Sequence, residues 1–230
     1  MDIGGLQKVS LSDYPGRICA VVFTRGCNFR CPFCHNPQLV DPKRFVPCLP
    51  EAEVLSFLAR RRGKIDAVTV SGGEPTLQED LPWFLAVVRE MGYLTKLDTN
   101  GARPDVLVRL LRENLLDYVA MDLKGPLASY PRLAGRPVET AAITASIAVI
   151  MASGIAYEFR TTAVKTLLTV EEIHAAGRLI AGARCWFLQK FVPAGLLDPA
   201  LEAGPQFTDA ELAVLADELR SQVPGVALRR

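Results

Sequence analysis

Six short β-branched or aromatic runs alternate with six helical patterns along this 230-residue chain. Predicted strands lie at 18–26, 67–73, 94–101, 118–125, 157–165 and 185–193, and predicted helices at 50–63, 79–92, 104–114, 139–154, 169–182 and 208–223. Because strand and helix alternate, we expect parallel strands joined by right-handed crossovers. The strands are almost continuously apolar, which predicts a sheet buried on both faces. The pattern fits either an open doubly wound sheet or an incomplete (β/α) barrel.

Polar or glycine-bearing motifs follow four consecutive predicted strands at their carboxyl ends. They are a cysteine cluster at 27–34, the sequence GGEP at 72–75, DTN at 98–100, and Asp122 with Lys124. In parallel α/β folds, ligands bind at this edge of the sheet. We therefore expect the four motifs to serve one ligand site.

The composition excludes several classes of protein. Lys and Arg total 26 and Asp and Glu total 25, a formal net charge of +1, so the basic excess of a general nucleic-acid binder is missing. The N-terminus does not resemble a signal peptide, and no apolar run approaches the roughly 20 residues that span a membrane. We expect a cytoplasmic protein whose cysteines stay reduced, which favours a metal or redox cluster over disulfides.

Three cysteines have the spacing C-x3-C-x2-C: Cys27, Cys31 and Cys34. Thiolates select zinc, copper(I) or iron–sulfur clusters. Zinc would need a fourth ligand, and His35 is adjacent to Cys34, where it would rarely close a tetrahedron. A [4Fe-4S] cube held by three cysteines instead leaves one iron open. The other cysteines are isolated and are interpreted as packing residues: Cys19, Cys48 and Cys185.

The sequence GCNFRCPFCHNP at 26–37, with GGEP after the next predicted strand, resembles the defining motif of the radical S-adenosylmethionine (radical SAM) enzymes. The longer stretch DYPGRICAVVFTRGCNFRCPFCHNPQLV is similar to the activating enzymes of glycyl radical enzymes. Among these it is most like the short anaerobic ribonucleoside-triphosphate reductase activating proteins. The resemblance covers about residues 8 to 195. It implies an α/β fold, an incomplete (β/α)6 barrel of parallel strands with outer helices.

The resemblance also implies a domain organisation and a chemistry. We expect one radical SAM domain over 1–230, with residues 196–230 as a C-terminal helical extension of unknown role. Cys27, Cys31 and Cys34 would ligate a single [4Fe-4S] cluster, whose open iron binds S-adenosylmethionine. One electron from the cluster then yields methionine and a 5'-deoxyadenosyl radical that abstracts a hydrogen atom. No catalytic residue is expected beyond the cluster and the cofactor.

Nine residues are carried over from the family as cofactor-binding: Phe33, Gly72, Gly73, Glu74, Asp98, Thr99, Asn100, Asp122 and Lys124. Glu74 is expected to hold the methionine ammonium, and Phe33 to lie near the adenine. Asp98, Thr99 and Asp122 would form a monovalent cation site beside the cofactor carboxylate. Lys124 would reach the ribose or the carboxylate.

The resemblance implies an activase that installs a glycyl radical on a partner enzyme, here expected to be anaerobic ribonucleotide reductase or a relative. A flavodoxin or ferredoxin is the expected electron donor. Asp13, in the turn SDYPG, is the expected contact for the partner peptide. The stretch LQKFVPAG lacks the histidine that pyruvate formate-lyase activating enzymes carry there, which weakens pyruvate formate-lyase as the partner. Gln189 or Lys190 is left open as a substitute.

Two other functions compete with this interpretation. A zinc-stabilised or ferredoxin-like binding module would explain the cysteines but not the motifs at the following strand ends. A radical SAM enzyme acting on a small molecule, an RNA or a peptide would explain all the motifs. The near-neutral charge disfavours RNA, and no further cysteine motif indicates an auxiliary cluster.

Overall fold

The computed structural model describes residues 1 to 229. Its strands are β1 (Ile3–Ser10), β2 (Cys19–Thr24), β3 (Ala67–Gly72), β4 (Leu94–Thr99), β5 (Tyr118–Asp122), β6 (Ala156–Ala163), β7 (Trp186–Lys190) and β8 (Val226–Arg229). The hydrogen-bonded order follows the chain from β1 to β8 and is linear, not that of a closed barrel. β1 is antiparallel to β2, whereas the pairs β2–β3, β3–β4, β6–β7 and β7–β8 are parallel. The predicted α/β fold class is confirmed.

The α-helices of residues 1–229 are α1 (Pro37–Val40), α2 (Glu51–Arg61), α3 (Leu81–Glu90), α4 (Pro104–Arg112), α5 (Tyr130–Ala134), α6 (Thr140–Ala152), α7 (Val170–Leu179) and α8 (Asp209–Leu219). All six predicted helices are present, as α2 to α4 and α6 to α8. The N-caps Thr169 and Thr208 each form a capping box, with Glu172 and Glu211. In this described range no helix has the length and apolarity to cross a membrane.

β2 to β7 are the six predicted strands, and β1 and β8 were not predicted. β1 carries two glycines and three consecutive exposed residues, Gln7, Lys8 and Val9, so it lacks the apolar pattern of a buried strand. β8 has only four residues, and it forms because Val226 pairs with Trp186 of β7. The description of residues 196–230 as a helical extension was therefore incomplete: a 3-10 helix (Pro199–Ala203) and α8 are followed by a strand.

The chain divides into two compact units. Unit one comprises residues 1–28, 38–99 and 103–119, and unit two comprises 29–37, 100–102 and 120–230. In unit one the largest buried side chains include Phe84 and Leu58, and in unit two they include Trp186 and Phe159. One radical SAM domain over the whole chain stays a prediction.

Candidate functional site

The glycine pair after β3 allows the end of β3 to lie directly against the end of β2. Gly72 has a φ of +118°, and a Cβ there would lie 2.4 Å from the backbone nitrogen of Thr24. A Cβ on Gly73 would lie 2.0 Å from the carbonyl oxygen of Gly26. The Gly73 N–H donates to Thr24 O and the Glu74 N–H to Gly26 O, both at 2.8 Å. Both glycines are thus required for the contact between these strand ends.

Glu74 is a buried carboxylate in unit one, with 1% of its surface exposed. Its Oε1 accepts hydrogen bonds from the backbone N–H of Thr76 (3.1 Å) and from the Thr76 hydroxyl (2.6 Å). The Thr99 hydroxyl donates to the same oxygen at 2.8 Å. The structure therefore brings together two predicted site residues, Glu74 after β3 and Thr99 at the end of β4, and holds the carboxylate in one orientation.

Asp98 is paired with a lysine that the sequence analysis missed. Lys96 Nζ lies 2.5 Å from Asp98 Oδ1, and the Ser71 hydroxyl donates to Asp98 Oδ2 at 3.0 Å. Lys96 is only 2% exposed, and its ammonium lies 5.7 Å from the centre of the Tyr118 ring. Lys96 and Asp98 are two residues apart in β4, so their side chains share a face. That spacing was the signal that could have identified the pair.

In unit two the loop at 29–37 carries Cys31, which is buried, and Cys34, which is half-buried. Burial raises the pKa of Cys31 to about 11, although the nearby Lys124 charge opposes the shift. Burial also raises the pKa of Cys34, against the hydrogen bond from the Asn36 N–H to Cys34 Sγ at 3.4 Å. Hydrogen bonds to sulfur and ligation by thiolates are typical of iron–sulfur sites. The two residues therefore fit such a cluster, whose binding would release their protons.

Asp122 at the end of β5 lies between two basic side chains of unit two. Lys124 Nζ is 3.1 Å from Asp122 Oδ2, and Arg160 Nε is 2.9 Å from Oδ1. Burial alone would raise the pKa of Asp122, but the charges of Arg160 and Lys124 hold it well below its usual range. Burial would lower the pKa of Lys124, yet Asp122 and the cysteines raise it. Lys124 Nζ also lies 5.7 Å from the centre of the Phe33 ring.

The other predicted site residues have local partners. Asn100 is buried, and its Oδ1 accepts from the Ala102 N–H at 3.0 Å. Asp13 accepts a hydrogen bond from the Ser10 hydroxyl within a turn. Cys27 is half-buried in unit one. Within residues 1–229, no three or more His, Cys, Asp and Glu side chains form a group that could hold a metal ion. Arg160 of β6 is a second residue near the predicted site that the sequence analysis missed.

The Radical SAM superfamily model matches residues 21–177 of this chain. A protein of Methanocaldococcus jannaschii named "Putative glycyl-radical enzyme activating enzyme" is 30% identical over 234 residues, covering 99% of this chain and 95% of that protein. The pyruvate formate-lyase-activating enzyme of Clostridium pasteurianum is 35% identical over 127 residues, 53% of this chain and 52% of that protein.

Solved structures are similar in fold at low sequence identity. The crystal structure of Streptococcus suis SuiB bound to S-adenosylmethionine matches 91% of this chain and 52% of that chain, with a TM-score of 0.69 and 15% identity. Escherichia coli coproporphyrinogen III oxidase, described as a radical SAM enzyme, matches with a TM-score of 0.62 and 14% identity, over 91% of this chain and 53% of its own. The chain thus spans about half the length of both solved chains.

Proposed function

We propose, given that this chain belongs to the radical SAM superfamily, that it is the activating enzyme of a glycyl radical enzyme. One observation carries the proposal: the similarity to the M. jannaschii protein extends over 99% of this chain. A binding module without chemistry would not account for a match of that extent. The family implies a [4Fe-4S] cluster and S-adenosylmethionine as cofactors.

Cys27, Cys31 and Cys34 are the proposed ligands of the cluster, on the basis of their spacing and the family. The burial of Cys31, the partial burial of Cys34 and the hydrogen bond to Cys34 Sγ support the assignment for the two residues in unit two. When bound, the cluster and S-adenosylmethionine supply one-electron cleavage of a carbon–sulfur bond and a radical that abstracts hydrogen. The protein itself binds and orients the cofactor and limits side reactions.

Two of the proposed cofactor-binding residues, Glu74 and Lys124, are charged side chains that other residues already hold in place. Glu74 is proposed to accept hydrogen bonds from the methionine ammonium, since Thr76 and Thr99 orient its carboxylate. Lys124, held by Asp122, is proposed to reach the cofactor carboxylate or ribose. Phe33 is proposed to lie near the adenine. The remaining proposed contacts are Gly72, Gly73 and Asn100.

A monovalent cation is expected at Asp98, Thr99 and Asp122, but basic side chains lie against both of these aspartates. In unit one, the Lys96 ammonium already lies against Asp98. In unit two, Lys124 and Arg160 already neutralise Asp122. We propose that basic side chains of this chain take the place of a bound cation at both carboxylates.

The proposed partner is anaerobic ribonucleoside-triphosphate reductase, or a close relative. This choice is supported by the resemblance to the short activating proteins and by the absence of the histidine after β7. Asp13 remains the proposed contact for the partner's glycine-bearing peptide, and a flavodoxin or ferredoxin the proposed electron donor. We propose that the enzyme works in the cytoplasm, where its cysteines stay reduced.

Electron paramagnetic resonance tests the proposal. The reduced, anaerobically reconstituted protein is mixed with S-adenosylmethionine and the candidate reductase. A glycyl doublet should appear only when all three are present. Omission of S-adenosylmethionine and replacement by the Cys31→Ala variant are the controls. If the protein cleaves S-adenosylmethionine and modifies a small molecule, but no glycyl radical enzyme gives a doublet, the competing function is correct. The protein would then be a radical SAM enzyme that acts on a small molecule.

A further inference from the structure

Within unit two, the segment that follows β7 is bonded to the loop that carries Cys31 and Cys34. The Leu197 N–H donates to the carbonyl oxygen of Cys34 at 2.9 Å. The Asp198 N–H donates to the carbonyl oxygen of Pro32, also at 2.9 Å. Both bonds join backbone to backbone, so they fix the path of the loop on both sides of Phe33.

A third bond comes from the histidine of the CHNP sequence. His35 Nε2 lies 2.8 Å from the carbonyl oxygen of Val192. A carbonyl oxygen only accepts, so Nε2 carries the proton in this contact. The His35 ring also packs on Phe191, with 6.0 Å between ring centres. His35 thus has a defined partner outside its own loop.

The segment has supports that do not involve the cysteine loop. Glu202 Oε1 accepts from the Gly195 N–H at 3.1 Å and from the Leu196 N–H at 3.5 Å. The Asp198 side chain caps the 3-10 helix Pro199–Ala203 through the Ala200 N–H at 3.0 Å. The Leu196 side chain is buried. The segment can therefore act as a fixed support for the loop.

We infer that residues 191–198, here called the brace, hold the cysteine loop in its ligand-binding conformation before any metal is bound, and that His35 is the positioning residue of this contact. Residues 196–198 lie in the C-terminal region that had no assigned role. A loop that is already ordered loses less conformational entropy when it binds, which strengthens binding. The identity of the bound group rests on the proposed function, but the ordering of the loop does not.

Alkylation of the metal-free, full-length protein tests the inference directly. The rates at which iodoacetamide labels Cys31 and Cys34 are measured by mass spectrometry, with Cys48 of unit one as internal reference. His35→Phe keeps an aromatic ring but removes the donor, and labelling of Cys34 should become about fivefold faster, as expected for one hydrogen bond. His35→Gln retains an N–H donor and should label nearly as slowly as the wild type.

A second pair of variants acts from the other side of the contact. Glu202→Ala removes the support of the brace without touching the cysteine loop, and it should also accelerate Cys34 labelling. Glu202→Gln keeps an oxygen acceptor and should not. If His35→Phe accelerates the labelling of Cys48 as much as that of Cys34, this variant is globally unfolded. The comparison of Glu202→Ala with Glu202→Gln then decides whether the brace orders the loop. Unchanged Cys34 labelling in both His35→Phe and Glu202→Ala overturns the inference.

Iron retention distinguishes this inference from the proposed function. After anaerobic reconstitution, His35→Phe and Glu202→Ala should lose iron to a chelator faster than the wild type. Their Gln counterparts should lose it at the wild-type rate. A wild-type protein that takes up no iron and sulfide contradicts the proposed function, and the alkylation rates still decide whether the brace orders the loop.

Discussion

At the scale of single residues, two carboxylates of this chain, one buried and one half-buried, are each paired with basic side chains. Lys96 and Asp98 share one face of β4, and Asp122 of β5 is held by Lys124 and by Arg160 of β6. Compensation is required because an ionised group without a partner is costly in a low-dielectric interior. The result is a set of fixed charges that need not reorganise when a charged ligand arrives.

Replacing Lys96 by methionine should make the protein depend on a bound cation. The variant leaves the Asp98 carboxylate without the lysine ammonium, so its thermal midpoint should fall in choline chloride and partly recover in potassium or sodium chloride. The double variant Lys96→Met/Asp98→Asn has no carboxylate to neutralise and serves as the control. Equal midpoints for Lys96→Met in all three salts would contradict the proposal that Lys96 replaces a cation.

Replacing Glu74 by alanine should leave iron and sulfide content intact and weaken S-adenosylmethionine binding. Loss of a charged hydrogen bond predicts about a ten- to hundredfold rise in the dissociation constant. Thr76→Val removes one donor that orients Glu74 but keeps the carboxylate, so its affinity should fall much less than that of Glu74→Ala. Calorimetry on the reconstituted proteins gives the dissociation constants of the two variants. An unchanged constant for Glu74→Ala would show that Glu74 does not bind the cofactor.

Single cysteine variants should divide into two groups. Cys27→Ala, Cys31→Ala and Cys34→Ala should each deplete cluster iron and abolish cofactor cleavage, since each removes a proposed ligand. Cys48→Ala and Cys185→Ala should retain both properties. Iron and sulfide analysis after anaerobic reconstitution is the measurement, and full cluster content in Cys31→Ala would refute its assignment.

At the scale of elements, the C-terminal helix α8 is anchored by a carboxylate at its start. Glu211 completes the capping box with Thr208 and forms an ion pair with Lys165 at 2.6 Å. The hydrogen bonds from Lys165 and Thr208 lower the pKa of Glu211 to about 2. Lys165 Nζ also lies 5.3 Å from the centre of the Phe207 ring. One residue therefore links the helix start to the loop after β6.

This anchor should lose its stabilising effect in acid. The folded-state pKa of Glu211 is depressed, so its contribution to stability is present above the unfolded value of about 4.3 and disappears as the pH falls towards about 2. Glu211→Gln should lower the urea midpoint at pH 7, and the difference from the wild type should shrink below about pH 4. A difference that is constant between pH 7 and pH 3 would contradict this assignment.

The sequence predicted those elements whose pattern is local. The apolar runs of β2 to β7 and the caps Thr169 and Thr208 identify their elements without reference to the rest of the chain. β1 and β8 could not be predicted in this way, because β1 lacks an apolar pattern and β8 is short and pairs with β7, a strand distant in sequence. Arg160 was missed because its carboxylate partner, Asp122, lies in another strand, whereas Lys96 was missed although Asp98 lies two residues away in β4.

At the scale of the whole molecule, segments near both ends of this sequence are strands of the sheet. β8 is also fixed by side chains: Arg229 donates to both carboxylate oxygens of Glu158, at 2.8 and 3.0 Å, and lies over the Phe187 ring. Glu158 is only 1% exposed. The C-terminal strand is thus held within unit two by an ion pair to a buried carboxylate as well as by the pairing with β7.

Replacing Arg229 by methionine should lower the free energy of unfolding by about 3 kcal/mol, because the buried Glu158 carboxylate loses a basic partner. Arg220→Met is the matched control: the Arg220–Asp217 pair is exposed on both sides, so its loss should have almost no effect. Urea unfolding of the two variants provides the comparison. If both variants lost the same small amount of unfolding free energy, the Glu158–Arg229 pair would not be what holds the strand.

The contact between Gly73 and Gly26 limits the evolutionary paths open to this chain. Every residue other than glycine has a Cβ, and at position 73 that atom would meet the carbonyl oxygen of Gly26, the residue before Cys27. Any mutation that changes the amino acid at position 73 therefore produces this collision. A lineage could replace Gly73 only by moving the backbone at Gly26, and with it the first proposed ligand of the cluster.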